Sequence, residues 1–367
     1  MVALHNKMLL VMITLFAVSV KCFGADVDQI VKGAEERTRA RTGKQTIWTG
    51  PAASPAAAKG KKIVCINADS KNAVEALWGK TTSEAAKKIG WEIVVLDGKG
   101  TVQGQVAALN QAISMQVDGI VMSANAEPLQ ASLQSAKEQG IPVVGIHASN
   151  VPGPNPDLNL RFNCTTSGTE IGKAMADFVI ADSKGKGRAI ILYDAQYAIA
   201  REKAEAMRAQ LATCPTVEVL DYVNSPLSEV AKNMPQLTST WIARYGTPFY
   251  VLSIADYFFD FATPTLRAGG VPAEDVKLLG ADGIVGAYQR IRTDDYQIVT
   301  IPEPSTMFGY MSVDALNRIF NGEEVADFIP DVYIVTADNV DEEGGTQNMF
   351  VPSNDFESRY LKMWGIE

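Results

Sequence analysis

The feature that most constrains the fold of this chain is a short apolar run followed by a helical pattern, repeated along most of its length. The first copy is residues 61–90, KKIVCINADSKNAVEALWGKTTSEAAKKIG. Ile63–Asn67 has the short, continuous apolar character of a buried strand. From Asn72 the apolar spacing becomes helical, and Ser70 or Asn72 is the expected N-cap. Such alternation of strand and helix predicts a parallel sheet covered by helices.

The alternation continues in two consecutive sets of similar size. After the first strand, the predicted strands are 92–96, 119–123, 143–147, 189–193, 217–222, 249–254, 277–281, 297–301 and 332–335. Helical patterns lie between them, and a final one covers 355–364. A length of 367 residues is enough for about two domains. We therefore expect an α/β protein with two doubly wound parallel-sheet lobes, between which the chain crosses back after the second set.

The first sixty residues differ from this pattern. Residues 1–24 contain the apolar run Met8–Val20, whose thirteen residues are few for a membrane span, followed by the small residue Gly24. We interpret 1–24 as a secretory signal peptide that directs the protein to the periplasm; a membrane anchor is the alternative. Residues 25–60 form an N-terminal extension, polar at first and then rich in Pro, Ala and Gly, to which we assign no site.

Composition limits the chemistry. The predicted leader has two lysines and no acidic residue, so the net charge without it is −11 instead of −9, which argues against a nucleic-acid partner. The remaining cysteines, Cys65, Cys164 and Cys214, are expected to be three buried thiols in preference to one disulfide. His147 is then the one remaining histidine, which excludes a two-histidine metal centre. No enzyme signature is present, and we expect no catalytic residue, metal or cofactor.

Polar side chains recur where the predicted strands end. In an open parallel sheet, ligands bind beyond the carboxyl ends of the strands. Each of these residues also has a purely structural explanation. Asp and Asn after strands often cap helices, His147 can be hydrogen-bonded within the fold, and Lys203 can be a solvated charge. If the two sheets face each other, all of them converge on one cleft. They are Asp69, Asn72, Glu75, His147, Asp194, Lys203, Asp256, Asp282 and Glu303.

From residue 61 to about 335 the chain resembles the type I periplasmic sugar-binding proteins, the ribose- and galactose-binding group of ABC importers. The resemblance is carried by the order and spacing of KKIVCINADSKN, EAAKKIGWEIVVLDG, VDGIVMSANAEPLQASLQSAKEQGIPVVGIHAS, YAIAREKAEAM, VKLLGADG and YQIVTIPEPSTMFGY. It implies two lobes joined by three crossovers, near Asn163, Ile301 and Asp331, that close over a ligand by hinge bending. Related repressors share this fold, but they carry a helix-turn-helix where this chain has its leader.

The resemblance also implies the division of the chain. The first lobe is expected at 61–163 with 302–331, and the second at 164–301 with 332–367. Family sugar contacts fall on Asn72, Lys203 and the Asp282 of GADG, and the hinge position that holds Gln in the family is Glu303 here.

This sequence departs from the family at three further positions. Glu75 stands where aromatic rings are usual, and Trp78, one turn further on, can supply the missing ring. His147 stands where an Asp–Arg pair is common. Ala255 replaces an Asn before Asp256, a loss for which Tyr257 can compensate.

These departures indicate an atypical ligand, a sugar alcohol or a small monosaccharide, although the carboxylates also permit an amino sugar. The expected function is that of a monomeric periplasmic solute-binding protein that delivers its ligand to an ABC-transporter permease. One alternative is a periplasmic receptor that binds a sugar or autoinducer for signalling. Another is a secreted carbohydrate-active enzyme with Asp282 and Glu303 as its carboxylate pair.

Overall fold

Two parallel five-stranded sheets form the framework of the computed structural model, which describes residues 27–366. The strands of the first sheet are β1 (Lys62–Asn67), β2 (Glu92–Asp97), β3 (Gly119–Met122), β4 (Val143–Ile146) and β5 (Phe162–Cys164). Those of the second are β6 (Arg188–Tyr193), β7 (Glu218–Asn224), β8 (Phe249–Ser253), β9 (Val276–Asp282) and β10 (Gln297–Pro302). The sheet orders are β2-β1-β3-β4-β5 and β10-β9-β8-β6-β7, and every pairing is parallel. The predicted α/β fold with two parallel sheets is confirmed.

Helices connect the strands as the alternation predicts. They are α1 (27–42), α2 (Ala73–Lys88), α3 (Val102–Ser114), α4 (Gln130–Glu138), α5 (Gly168–Asp182), α6 (Ala198–Leu211), α7 (Val230–Tyr245), α8 (Phe259–Ala268), α9 (Val285–Arg292), α10 (Ser305–Phe320) and α11 (Phe356–Met363). Asn72 is the N-cap of α2, because its side chain accepts from Val74 N at 3.0 Å. The predicted strand 332–335 is wrong, since it makes only an isolated antiparallel bridge between Thr300 and Val335.

The central strand β1 shows why its sequence is apolar throughout. Ile63 and Cys65 pack on one face with α2 and α10, whereas Val64 and Ile66 pack on the other with α3 and α4. Successive side chains of a strand point to opposite faces, so a sheet covered on both sides needs apolar residues at every position. Helices thereby cover both faces of the sheet at β1, whereas the edge strand β2 remains exposed at Val94 and Val95.

The last helix corrects the predicted division of the chain. We expected 332–367 in the second lobe, but α11 packs in the core of the first with Phe356, Tyr360 and Trp364. Trp364 stacks on Tyr310 of α10 at 5.9 Å between ring centroids, and its Nε1 donates to Asp314 Oδ1 at 2.8 Å. The helical spacing of these aromatic residues gives α11 an apolar face, and α10 supplies the surface that buries it.

The N-terminal extension also joins both lobes. Val31 and Ala34 of α1 lie in the core of the second lobe, whereas Trp48 packs beside the core of the first. Within residues 27–366, this extension and the segment before α11 connect the lobes in addition to the three predicted crossovers. The predicted signal peptide lies outside the described residues.

The three cysteines are free and buried, as preferred from the sequence. Burial raises the pKa of the Cys65 thiol to about 12, so it remains protonated at neutral pH. Between residues 27 and 366, no helix combines the length and apolar character needed to cross a membrane.

We predict that Trp364→Ala lowers the free energy of unfolding by about 3–5 kcal/mol, because it removes a fully buried ring from the first-lobe core. Urea unfolding measures the loss. The control is Lys362→Ala, an exposed position in the same helix, which should change stability by about 0.5 kcal/mol or less. Equal losses in both variants would show that α11 is not part of the core.

Candidate functional site

A buried carboxylate between the lobes forms the centre of the candidate site. Glu303 follows β10 and is only 3% exposed. Its Oε1 lies 3.0 Å from the Nζ of Lys203, a residue of α6 in the second lobe. Its Oε2 accepts from Thr166 Oγ1 at 2.5 Å and lies 3.5 Å from Nε2 of His147, which follows β4 in the first lobe. One side chain thus contacts residues from both lobes and from the β5–α5 crossover.

The charges of this cluster stabilise each other. Burial alone would raise the pKa of Glu303, but the neighbouring Lys203 and His147 hold it well below its ordinary value. Burial would likewise lower the pKa of Lys203, yet Glu303 and Asp282 keep it above its usual range. The two therefore form an ionised pair. Because a buried pair contributes little net stability, the importance of this one lies in its position at the crossover.

The first-lobe wall of the site is aromatic. The Trp78 indole stacks on His147 with 5.2 Å between ring centroids, and Phe308 packs edge-on against both rings. His147 has a left-handed backbone, with φ of 51°, and its Nδ1 lies 2.7 Å from Thr165 Oγ1. Trp78 Nε1 and Thr306 Oγ1 are buried and have no hydrogen-bond partner. Unpaired buried polar atoms are unfavourable, and since both are closed to solvent in this conformation, a ligand hydroxyl reaches them only when the wall opens.

The second-lobe wall contains Asp282 at the end of β9. Its backbone has a positive φ of 91°, and its Oδ1 lies 3.8 Å from Lys203 Nζ. The side chain is 26% exposed, compared with 2% for Glu303, so it is the acidic group of the cluster that a ligand can reach. Burial raises the pKa of Asp282, while Lys203 opposes that effect.

Two neighbouring candidates, Asp256 and Tyr257, make contacts outside the Glu303 cluster. Asp256 is fully buried, and its carboxylate accepts from Gly283 N at 2.8 Å, Gln297 Nε2 at 2.6 Å and Thr300 Oγ1 at 2.7 Å. These bonds join the segment after β8 to β10 and to the loop after β9, so the Asp256 carboxylate already has three donors within the fold, and its contact with a ligand stays a prediction. Tyr257 is 43% exposed and packs edge-on against Phe261, a surface contact.

Asn72 and Glu75 organise the loop after β1. Asn72 is exposed and caps α2, as described above. Glu75 Oε2 accepts from Asp69 N at 2.6 Å and from Ser123 Oγ at 3.1 Å, and burial raises its pKa to about 7. In the second lobe, burial and the charges of Asp194, Glu75 and Asp69 raise the pKa of Tyr197.

The structure thus brings together five of the predicted residues: Trp78, His147, Lys203, Asp282 and Glu303. Four residues at the site were missed: Thr165, Thr166, Thr306 and Phe308. Thr165 and Thr166 directly follow β5, so the strand-end rule that selected the others applies to them as well. Within residues 27–366, no group of three or more His, Cys, Asp or Glu side chains is arranged to hold a metal ion.

Comparisons with known proteins agree with this architecture. A family model described as a periplasmic binding protein domain matches residues 63–324. A protein of Mycolicibacterium smegmatis named xylitol-binding protein is 26% identical over 266 residues, which are 70% of this chain and 72% of that protein.

Solved structures with the same fold come from ABC transporters. A solute-binding protein of Agrobacterium vitis bound to alpha-D-tagatopyranose superposes with a TM-score of 0.71 at 15% identity, covering 80% of this chain and 100% of the other. A second solute-binding protein of that organism, with bound allitol, has a TM-score of 0.67 at 18% identity and covers 77% and 98%.

Substitutions at the adjacent positions Asp256 and Tyr257 test whether the Asp256 side chain stabilises the fold. We predict that Asp256→Ala lowers the free energy of unfolding by more than about 3 kcal/mol, since each buried donor left without an acceptor costs about 1–3 kcal/mol. Tyr257→Ala should change it by about 1 kcal/mol or less, because that side chain is exposed. Urea unfolding of the two variants gives the comparison, and a mild effect of Asp256→Ala would show that its side chain does not stabilise the fold.

Proposed function

The chain belongs to the periplasmic binding protein domain family, and on that basis we propose that it is the solute-binding component of an ABC importer for a sugar alcohol or small monosaccharide. It captures the ligand in the cleft around Glu303 and delivers it to the membrane permease. We further propose that residues 1–24 direct the protein to the periplasm, the compartment in which this family acts.

The observation that carries the proposal is the composition of the cleft walls. One wall has a stacked Trp78–His147 pair with an unpaired N–H, and the other has the accessible carboxylate of Asp282. Carboxylates accept hydrogen bonds from hydroxyls, the indole N–H donates one, and ring faces cover C–H surfaces. Alternating hydroxyl and C–H groups are the surface that sugars and sugar alcohols present.

Sugar alcohols are the ligand class that we favour. The bidentate Asp–Arg clamp expected in ribose-binding relatives is absent here, because His147 and Ala148 occupy those positions. The similar protein from Mycolicibacterium smegmatis is named for xylitol, and one solved structure of this fold holds allitol. A flexible acyclic ligand can adapt its hydroxyls to donors and acceptors that a sugar ring does not reach.

The surroundings of the carboxylates of Asp282 and Glu303 favour binding without catalysis. A glycosidase needs both carboxyl groups of its pair at the scissile bond, one as the acid and the other as the nucleophile or base. Both oxygens of Glu303 are engaged, by Lys203 and by Thr166, and the residue is 3% exposed. We therefore propose that Asp282 and Glu303 do not act as a catalytic pair and that the ligand leaves the protein unchanged.

A ligand panel tests the function. We predict that at least one of xylitol, allitol, tagatose or another small sugar raises the melting temperature, since a ligand at one hundred times its Kd adds about 2.7 kcal/mol to the free energy of unfolding. Glucosamine tests the amino-sugar alternative, and leucine serves as a control without vicinal hydroxyls. The proposal fails if no sugar or sugar alcohol stabilises the protein, or if leucine does so equally.

The unpaired indole N–H gives a sharper test. We predict that Trp78→Phe weakens binding of the best panel ligand by about two- to tenfold, the effect of one hydrogen bond worth about 0.5–1.5 kcal/mol, while ring stacking is retained. Trp91→Phe is the matched control, because Trp91 Nε1 donates to Ala58 O at 2.6 Å in the same lobe, outside the cleft.

Calorimetric titration measures both affinities. The control should bind the ligand as the parent protein does. Unchanged affinity in Trp78→Phe, or an equal loss in both variants, would remove Trp78 from the ligand contacts.

A further inference from the structure

One hydrogen bond joins a loop of the first lobe directly to a helix of the second; we call it the interlobe bond. Asn150, in the loop between β4 and β5, donates through Nδ2 to Oε2 of Glu202 in α6, at 3.1 Å. Both residues follow the carboxyl ends of strands, the ends at which ligands bind in such sheets. Their near neighbours in sequence, His147 and Lys203, both contact Glu303. The interlobe bond therefore lies beside the candidate site, on the side of the cleft.

The second-lobe partner of this bond is held in place by its own lobe. Glu202 Oε1 accepts from the backbone N and from Oγ1 of Thr169, both at 2.9 Å. Thr169 lies in the first turn of α5, where the backbone N–H groups lack helical acceptors and favour a negative charge. A Cβ atom at Gly168 would lie only 3.2 Å from Glu202 Cδ, so glycine gives the carboxylate room at the helix end. One oxygen of Glu202 is thus committed to α5, and the other accepts from the first lobe.

The first-lobe partner is held on both sides. Asn163 of β5 is 1% exposed, and its Nδ2 donates to Ser149 O and to Val151 O, each at 2.9 Å. Its Oδ1 accepts from Ala148 N at 3.0 Å. A single buried amide therefore fixes the backbone before and after Asn150, and the loop cannot easily follow a partner that moves away.

Two groups that are each fixed to their own lobe make the interlobe bond sensitive to the arrangement of the lobes. A donor–acceptor distance of about 3.6 Å is no longer a hydrogen bond, so roughly 0.5 Å of added separation is enough to break this one. Its acceptor is a carboxylate, which makes it one of the stronger kind. We propose that the interlobe bond acts as a latch that favours the lobe arrangement described here over more open ones, even when the cleft is empty.

Such a latch changes the affinity for a ligand that contacts both walls of the cleft. The apparent affinity scales with the fraction of molecules whose lobes are in the competent arrangement. This consequence rests on the proposed function, whereas the effect of the interlobe bond on the lobes themselves does not.

An exchange of charge across the interlobe bond tests the proposal. Asn150→Asp keeps the size of the side chain but places a carboxylate against that of Glu202, and the two repel each other. Adding Glu202→Gln restores a hydrogen bond with donor and acceptor reversed, while the amide oxygen can still accept from Thr169. The double variant is the matched control, because it carries the same substitution at position 150. Asn150→Ala removes the donor without adding a charge.

The distance between the lobes is measured without any ligand. Spin labels are attached to Gln103→Cys in α3 and Ser228→Cys between β7 and α7, two exposed positions. They lie beside β2 and β7, the sheet edges opposite β5 and β10, from which the chain crosses between lobes, so opening moves them far. Cys65, Cys164 and Cys214 are buried and remain unlabelled. Circular dichroism melting verifies that each variant is folded.

We expect Asn150→Asp to give a longer mean distance and a broader distribution than the parent, Asn150→Ala a smaller shift in the same direction, and the double variant the parent distribution. A parent-like distribution in Asn150→Asp would overturn the proposal, and so would a double variant that is as open as the single one. If Asn150→Asp does not fold, Asn150→Ala decides by the same criterion. Because no ligand is present, the result is independent of the ligand panel: the latch can fail while the binding function stands, and the reverse.

Discussion

The site depends on one buried carboxylate that is contacted from both lobes. Glu303 lies where the chain passes from β10 to α10, and it holds Lys203 of the second lobe and Thr166 of another crossover within hydrogen-bond distance. An ionised group at 3% exposure requires such partners, because removing either would leave a charge without compensation in a region of low dielectric. The walls of the cleft are therefore positioned relative to a point that both lobes share. Movement of the lobes about this point changes the separation of Trp78 and Asp282, the groups that we assign to the ligand.

The fold was largely predictable because its strands and helices have distinct patterns of apolar residues in the sequence. Apolar strands buried on both faces and amphipathic helices alternate, and the family resemblance supplied the pairing of the two sets into lobes. The wrong fold predictions concern segments whose structure and lobe are determined by tertiary contacts. Residues 332–335 have a strand-like composition but find a single bridging partner in Thr300. Helix α11 joins the first lobe because α10 offers an aromatic surface, a fact that no local pattern contains.

The candidate site was predictable in part because its residues lie at the ends of predicted strands. The carboxyl ends of parallel strands define an edge, and His147, Asp282 and Glu303 were found by that rule. It does not tell which way a side chain turns, and Asp256 turns inward to donors on β10 and the loop after β9.

The most direct measurement of the central claim is a crystal structure of the protein with a sugar alcohol or sugar that stabilises it. Binding at the interlobe cleft predicts ligand density between the Trp78–His147 stack and Asp282, with a hydroxyl at Trp78 Nε1 and the Lys203–Glu303 pair intact. Density elsewhere would contradict it, for example in the cavity of about 650 Å³ behind the crossovers, which Arg41, Met307 and Asn354 help to line.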